Sequence, residues 1–273
     1  KEGELEKRRL TLFDFDQAEN NHFLAVRQLE VVGDLYNRRP DVIGFVNGIP
    51  LVFFELKAHH TDLRNAYTDN ITDYKDTIAH VFHCNAFIIL SNGTDAKVGT
   101  VTSPYKFFLD WKRIEEDEMG IVSLDTMIRG TCDKKRLLDI FENFLLFDDS
   151  GGEVAKIMAK NHQYIGVNKV LAQVNHIDDL KGKLGVFWHT QGSGKSLSMV
   201  FYAGKLVLEL NNPTLVVLTD RNDLDDQLFD TFSLSQDILR QTPVQAENRD
   251  DLKRKLSVSS GGIVFTTIQK FLP

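Results

Sequence analysis

Leu184-Gly185-Val186-Phe187-Trp188-His189-Thr190-Gln191-Gly192-Ser193-Gly194-Lys195-Ser196 is the stretch on which the reading of this chain turns. Leu184 to Trp188 is a compact apolar run of strand type, a glycine-rich turn follows, and Ser196 to Glu209 continues with helical spacing. A phosphate cradle needs backbone N–H groups converging on oxygens, and glycine is required wherever a Cβ would obstruct that approach. It also needs a helix N-terminus, a lysine reaching the outer phosphates and a hydroxyl on Mg2+. Gly192, Ser193, Gly194, Lys195 and Ser196 supply these in order. His189 stands where G-x-x-x-x-G-K-[ST] has its first glycine. The stretch reads as a nucleotide-phosphate site.

Outward from it, the second half alternates strands with helices. Thr214 to Leu218 predicts a second strand, a polar helix begins near Asn222, and Gly262 to Thr267 predicts a third strand. Continuous apolar strands separated by helices indicate a parallel sheet covered on both faces. Gln163 lies upstream on a predicted helix, where its amide could meet both edges of adenine or simply face solvent. Arg221, Thr267 and Lys270 follow strands at the carboxyl end of the sheet. They read either as contacts to a nucleic-acid backbone or as capped strand ends. An NTP-hydrolysing site also needs an acidic residue at the end of a further strand, and no apolar strand ending in Asp-Glu occurs between Ser196 and Pro273.

The first half carries a different pattern. Arg39 to Val46 and Ile49 to Lys57 are two apolar runs joined by Asn47-Gly48, a strong hairpin turn. Glu55 and Lys57 share one strand face. A tight two-residue turn would pair Val46 with Ile49 and place Asp41 opposite Phe54, on the other face. A bulge or wider turn at Gly48 is therefore expected, shifting the register by one and bringing Asp41 beside Glu55 and Lys57. Two carboxylates and a lysine on one face make a hard-oxygen site for Mg2+, with a cation suited to phosphodiester hydrolysis. The bland alternative is an amphipathic hairpin with charges at its wet end. Closing so apolar a run as Leu51 to Phe54 with charge favours the site.

Composition bounds the rest. The chain has 273 residues, 42% hydrophobic and 26% charged, which is too apolar for disorder and long enough for two domains. No apolar run reaches membrane-spanning length, and Cys84 and Cys132 lie far apart without metal-like neighbours. A reduced, cytoplasmic setting without a membrane partner is expected. The net charge of −7 at first argues against a nucleic-acid partner. Residues 1–150, however, hold 18 Lys+Arg against 26 Asp+Glu, and residues 151–273 hold 14 against 13. The surplus acid thus lies entirely in the first half, where metal-binding carboxylates contribute to it, and it does not exclude DNA. The division at 150 follows Asp148-Asp149-Ser150-Gly151-Gly152, a linker-like cluster. Leu137 to Phe147 before it and Val154 to Val174 after it read as helices, and Asp110 to Glu118 as a solvated helical face or loop.

RPDVIGFVNGIPLVFFELK (Arg39 to Lys57), LSNGTD (Leu90 to Asp95), WHTQGSGKS (Trp188 to Ser196), LTDRNDLDDQ (Leu218 to Gln227) and VFTTIQKF (Val264 to Phe271) occur in this order. Together they resemble the R (restriction and motor) subunit of type I restriction-modification enzymes, from about residue 20 onward. The resemblance implies an α/β chain: a PD-(D/E)xK-type nuclease domain over 1–150, then an incomplete RecA-like, superfamily 2 parallel-sheet lobe over 151–273. It implies Asp41, Glu55 and Lys57 as nuclease residues with Mg2+ on the two carboxylates. It also implies Gly192, Ser193, Gly194, Lys195 and Ser196 on ATP phosphates and Mg2+, and Gln163 on adenine. The His189 departure is shared by that family. Its Gln-x-x-x-Tyr element matches Asn70-Ile71-Thr72-Asp73-Tyr74, giving Tyr74 a place in the site and leaving Asn70, one methylene shorter, without one. The family's N-terminal helical Glu has no match.

The resemblance further implies a type I site-specific deoxyribonuclease that translocates double-stranded DNA with ATP and cleaves it with Mg2+, alongside methylation (M) and specificity (S) subunits. The absent motor acid and the start at Lys1 imply a fragment that does not hydrolyse ATP by itself. Two other readings stay open. One is a repair-type nuclease–helicase fusion, distinguished by cleavage independent of methyltransferase partners. The other is an ATP-responsive DNA-binding module with an inactive nuclease.

Overall fold

Large apolar residues point to both faces of the central strands in the first half, and the sheet is buried on both sides at its centre and more exposed at its first strand. In a computed structural model the described residues are 10–220 and 222–270, and their fold is mixed α/β with three sheets. Strands β1 (Phe23–Arg27), β2 (Val42–Val46), β3 (Ile49–Leu56), β4 (Phe87–Ser91) and β5 (Ala96–Gly99) lie in that spatial order. Neighbours are antiparallel except β3 and β4, which run parallel. A parallel pair needs a crossover, here α1 (Leu63–Asn65), a π-helical turn (Ala66–Ile71) and α2 (Thr72–Thr77). Phe53, Ile88 and Leu90 face that crossover with Ala66, Ile71, Tyr74 and Ile78. Val52, Phe87 and Ile89 face the opposite way, into a larger core.

Helices α3 (Leu124–Thr131) and α4 (Lys134–Asn143) start at Ser123 and Asp133, whose side chains accept the free N–H groups of the first turn. The cluster expected as a linker is instead the turn of a hairpin, β6 (Leu145–Asp148) with β7 (Ala155–Met158). The helix predicted through Phe147 thus stops at Asn143, and the one predicted from Val154 begins only at α5 (Asn161–Ala172). Short apolar runs fit either period. Gly152, at φ +85°, turns the chain back so that antiparallel pairing satisfies both backbones.

Beyond α6 (Lys195–Glu209) come β8 (Leu215–Thr219), α7 (Asn222–Ser233), α8 (Gln236–Leu239), β9 (Pro243–Gln245), α9 (Arg249–Leu256) and β10 (Ile263–Thr267). Both pairings in the sheet β8-β10-β9 are parallel, as the apolar runs predicted. One expectation fails. Leu184 to Trp188 has no regular secondary structure and joins no sheet among the described residues, and Val186 and Trp188 are 87% and 88% exposed. Sequence pattern measures apolarity, whereas a strand also needs a neighbouring backbone, and β8 pairs with β10 instead. The acidic run Asp110 to Glu118 is not helical. It is a loop held by Asp110 with Lys97, Glu115 with Arg136 and Glu116 with Lys169.

The larger core passes through residue 150 without a break. The Phe144 ring lies 4.8 Å from that of Tyr164 and 5.4 Å from that of Phe201, joining α4 to α5 and α6. Lys205 of α6 ion-pairs with Asp139 of α4, and Asn168 of α5 donates to the same carboxylate. Among the described residues no helix is long and apolar enough to cross a membrane. Phe144→Ala should lower unfolding free energy by about 3–5 kcal/mol, because a fully buried ring is replaced by a cavity. Denaturant unfolding followed by both near- and far-UV signals checks it. A loss below about 1 kcal/mol would show that the ring is not shared by the two halves.

Candidate functional site

The β2–β3 hairpin sets the first site. Its turn is a tight two-residue one: Val46 pairs with Ile49, and Asn47 and Gly48 take φ of +51° and +83°. The bulge expected at Gly48 is therefore not there. The register shifts between Gly44 and Phe45 instead, where Gly44 pairs with Val52 and Phe45 with Pro50, leaving Leu51 as the extra residue. Primed turns match strand twist and favour Asn-Gly, so the turn stays regular and the irregularity falls further along the strand. The outcome for Asp41 is the one the spacing required. Val42 pairs with Phe54, so Asp41 lies across from Glu55.

Asp41 is held by both oxygens. Oδ2 accepts the Leu56 backbone N–H at 2.8 Å and Oδ1 accepts Gln28 Nε2 at 2.8 Å. Glu55 is 2% exposed; its Oε1 meets Lys57 Nζ at 3.2 Å, while its buried Oε2 has no hydrogen-bond partner. Burial pushes the Glu55 carboxyl up to about 7, with the Asp41 charge adding to the rise and Lys57 opposing it. Lys57 Nζ donates to Asn70 Oδ1 at 2.5 Å, and Asn70 Nδ2 lies 3.5 Å from the Tyr74 hydroxyl. Burial pushes Tyr74 up to about 12, against the pull of its bond with Asn70. Asn70 is thus brought between Lys57 and Tyr74. It sits in the π-helical turn, a rare geometry that concentrates at functional sites.

The arrangement fits a hard divalent cation. Among the described residues no group of three or more His, Cys, Asp or Glu converges. One or two carboxylates suffice for Mg2+, which keeps waters and takes substrate oxygens for the rest. The buried, unpartnered Glu55 Oε2 is the atom whose burial such an ion would offset. Gln28 was invisible to motif reading. The signal that finds it is register: β1 ends with Arg27 on Val42, so Gln28 follows next to Asp41. LSNGTD forms the β4–β5 turn, where Asn92 Oδ1 accepts the Asp95 N–H and its Nδ2 ties the carbonyl of Thr61, just past Lys57.

The second site is the start of α6. Gly192 and Gly194 take φ of +79° and +91°, which only glycine adopts at little cost, and Gly194 caps the helix without any side-chain hydrogen bond. The first N–H groups of α6 thus face an anion-favouring helix end. Lys195 Nζ lies across the loop on the carbonyls of His189 (2.9 Å) and Thr190 (3.1 Å). Ser196 occupies the first turn, half-buried. Ser193 Oγ and His189 Nδ1 are buried without partners. Gln163 is 1% exposed: its Oε1 accepts the Lys160 N–H and its Nε2 donates to Gly194 O, both at 2.8 Å. It is neither solvent-facing nor free, but fastened to the glycine loop. Of the proposed backbone contacts, Thr267 is 2% exposed and Lys270 Nζ binds the Ala246 carbonyl, which suits a capped strand end. Arg221 lies outside the described residues.

The fold is mixed α/β, and residues 162–273, which include α6, match the family described as SWI2/SNF2 ATPase. Residues 1–107 match the family described as type I restriction enzyme R protein N terminus. The chain is 45% identical, over 98% of its length, to the type I restriction enzyme HindI endonuclease subunit of Haemophilus influenzae, of which it covers 27%. It is 33% identical to the MjaIXP endonuclease subunit of Methanocaldococcus jannaschii, again over 98% of this chain and 28% of that one. The chain belongs to the type I restriction enzyme R subunit family, and it spans about a quarter of the length of these curated relatives.

The titration of Glu55 gives a test. Its folded value, about 7, lies above the ordinary 4.5, so the folded state binds the extra proton between these limits. The Glu55 contribution to stability is then fully present below about pH 4.5 and is lost as pH rises through 7, by on the order of 3 kcal/mol. Glu55→Gln should flatten this slope in metal-free buffer, measured as melting temperature from pH 5 to 8.5. An unchanged slope would mean that Glu55 is not the buried titrating group.

Proposed function

We propose that this chain carries the nuclease and nucleotide-binding parts of a type I restriction endonuclease R subunit. In this reading residues 1–150 form a PD-(D/E)xK nuclease domain and residues 151–273 the first part of a RecA-like motor lobe. The whole subunit translocates double-stranded DNA with ATP and cleaves unmodified DNA with Mg2+, with methylation and specificity subunits selecting the target. The observation that carries it is the Asp41–Glu55–Lys57 face, whose deepest carboxylate oxygen is buried without a partner. A structural hairpin has no use for such an atom.

Asp41 and Glu55 would hold Mg2+, which when bound polarises a phosphodiester and lowers the pKa of its water. Asp41 arrives oriented by Leu56 N–H and Gln28. Lys57, fixed between Glu55 and Asn70, is placed to orient a water or to meet the negative charge on the non-bridging oxygens around the pentacovalent phosphorus. Tyr74 keeps its proton at neutral pH, and its hydroxyl faces both Asn70 and the Glu55 carboxyl. At the second site, Gly192, Ser193 and Gly194 would present backbone N–H groups to ATP phosphates, Lys195 would exchange its loop carbonyls for phosphate oxygens, and Ser196 would turn its hydroxyl to Mg2+. ATP supplies the free energy for movement. An adenine contact by Gln163 would cost it one of its two present bonds.

The two sites separate by mutation in the full-length protein with its methyltransferase partners. Asp41→Ala or Glu55→Ala should leave ATP hydrolysis intact and abolish cleavage of unmodified plasmid. Lys57→Ala should lower the cleavage rate by about 10²–10³. Lys195→Ala should instead abolish ATP hydrolysis. Cleavage that survives Asp41→Ala and Glu55→Ala would remove the nuclease assignment.

A further inference from the structure

Gln28 is the residue next to the metal-site carboxylates whose backbone is under strain. It follows β1 directly and sits at φ +50°, a left-handed conformation that a long side chain adopts only when its surroundings enforce it. Two contacts enforce it, both to the same residue. The Gln28 N–H donates to the Asp41 carbonyl at 3.1 Å, and Nε2 donates to Asp41 Oδ1 at 2.8 Å. A carboxylate only accepts, so the amide nitrogen must be the atom facing Asp41, and Oε1 is turned away from it. Gln28, Asp41 and Glu55 then form one row across three neighbouring strands, by the registers Arg27 with Val42 and Val42 with Phe54.

We infer that Gln28 is a positioning residue for divalent-cation binding: its side-chain amide fixes the Asp41 carboxylate plane in the orientation that the ion needs. The inference rests on the nuclease reading and deepens it. Leu56 N–H alone anchors only one oxygen of Asp41 and leaves the plane free to swing about that anchor; the Gln28 amide supplies the second point. Groups that hydrogen-bond a ligating carboxylate fix its direction, and their loss typically weakens metal binding by about 10–100-fold.

Two variants of the full-length protein separate this role from a structural one. Gln28→Ala removes the amide and keeps a Cβ in the strained conformation, whereas Gln28→Gly removes the amide and relieves the strain. Mn2+ binding without DNA, read from the free-ion electron paramagnetic resonance signal, defines the Asp41-dependent site as the one lost in Asp41→Asn. Both Gln28 variants should weaken that site by about 10–100-fold, and raise the Mg2+ half-saturation for cleavage in step, although Gln28→Gly melts no lower than Gln28→Ala. Parental metal titrations in both variants, or weakening in Gln28→Ala alone, would overturn the inference. If Asp41→Asn itself binds Mn2+ and cleaves like the parent, the nuclease reading has failed, and the inference with it.

Discussion

Leu51 is one residue more than its partner strand has room for. Side chains along a strand alternate faces, so a register offset of one residue inverts every relationship beyond it. On the turn side of Leu51 the hairpin is regular, with Asn47 and Gly48 in the geometry that suits its twist. On the far side the offset has been absorbed, and Asp41 lies across from Glu55 rather than Phe54. The proposed nuclease chemistry depends on this displacement. Without it one carboxylate would face the crossover helices and the other the opposite core. The bulge is fully buried, with Leu51 0% exposed in the larger core, so packing on that side holds the register that the charged side requires.

The same larger core links the two ends of the described chain. Val52, Phe87 and Ile89 on one face of the five-stranded sheet belong to the cluster that also holds Phe144, Tyr164, Phe201 and Phe265. Helix α6, which begins at the glycine loop, enters this core through Val200, Phe201 and Ala203. Its start is tied to α5 by Gln163 on Gly194 O, and its middle to α4 by Lys205 on Asp139. Each candidate site is thus attached to a common apolar interior by elements only a few residues from its polar groups.

Much of this was legible in the sequence. The two helix-forming and strand-forming periods, the Asn-Gly turn and the glycine loop before Lys195 are local features, and local chemistry dictates them. The need for a one-residue register shift was also legible, because it follows from counting. Its position was not: whether the extra residue sits at Gly48 or Leu51 depends on how the strand packs against a core assembled from distant segments. Leu184 to Trp188 misled for a related reason, since apolarity does not say which backbone is alongside. Gln28 and Asn70 were hidden differently. Each is an ordinary polar residue, and each acquires meaning only from the neighbour that the sheet or the π-helical turn brings to it. Gln163 read as either an adenine contact or a solvent-facing amide, and burial with two backbone bonds gives it partners that the sequence did not name.

The hairpin of β6 and β7 has a bearing on how the chain is to be cut. A boundary drawn through Asp149 or Ser150 looks natural on a hydropathy plot, yet it severs a two-stranded ladder. An N-terminal piece ending there would keep Leu145 to Asp148 as an orphan edge, with the Phe144 ring stripped of Tyr164 and Phe201. Expression boundaries that respect the ladder must run past Met158, and further still to keep α5 and α6 over Phe144. For this family member, the smallest N-terminal piece that keeps its core covered is set by an aromatic ring and a pair of short strands, and not by the extent of the carboxylate-bearing hairpin.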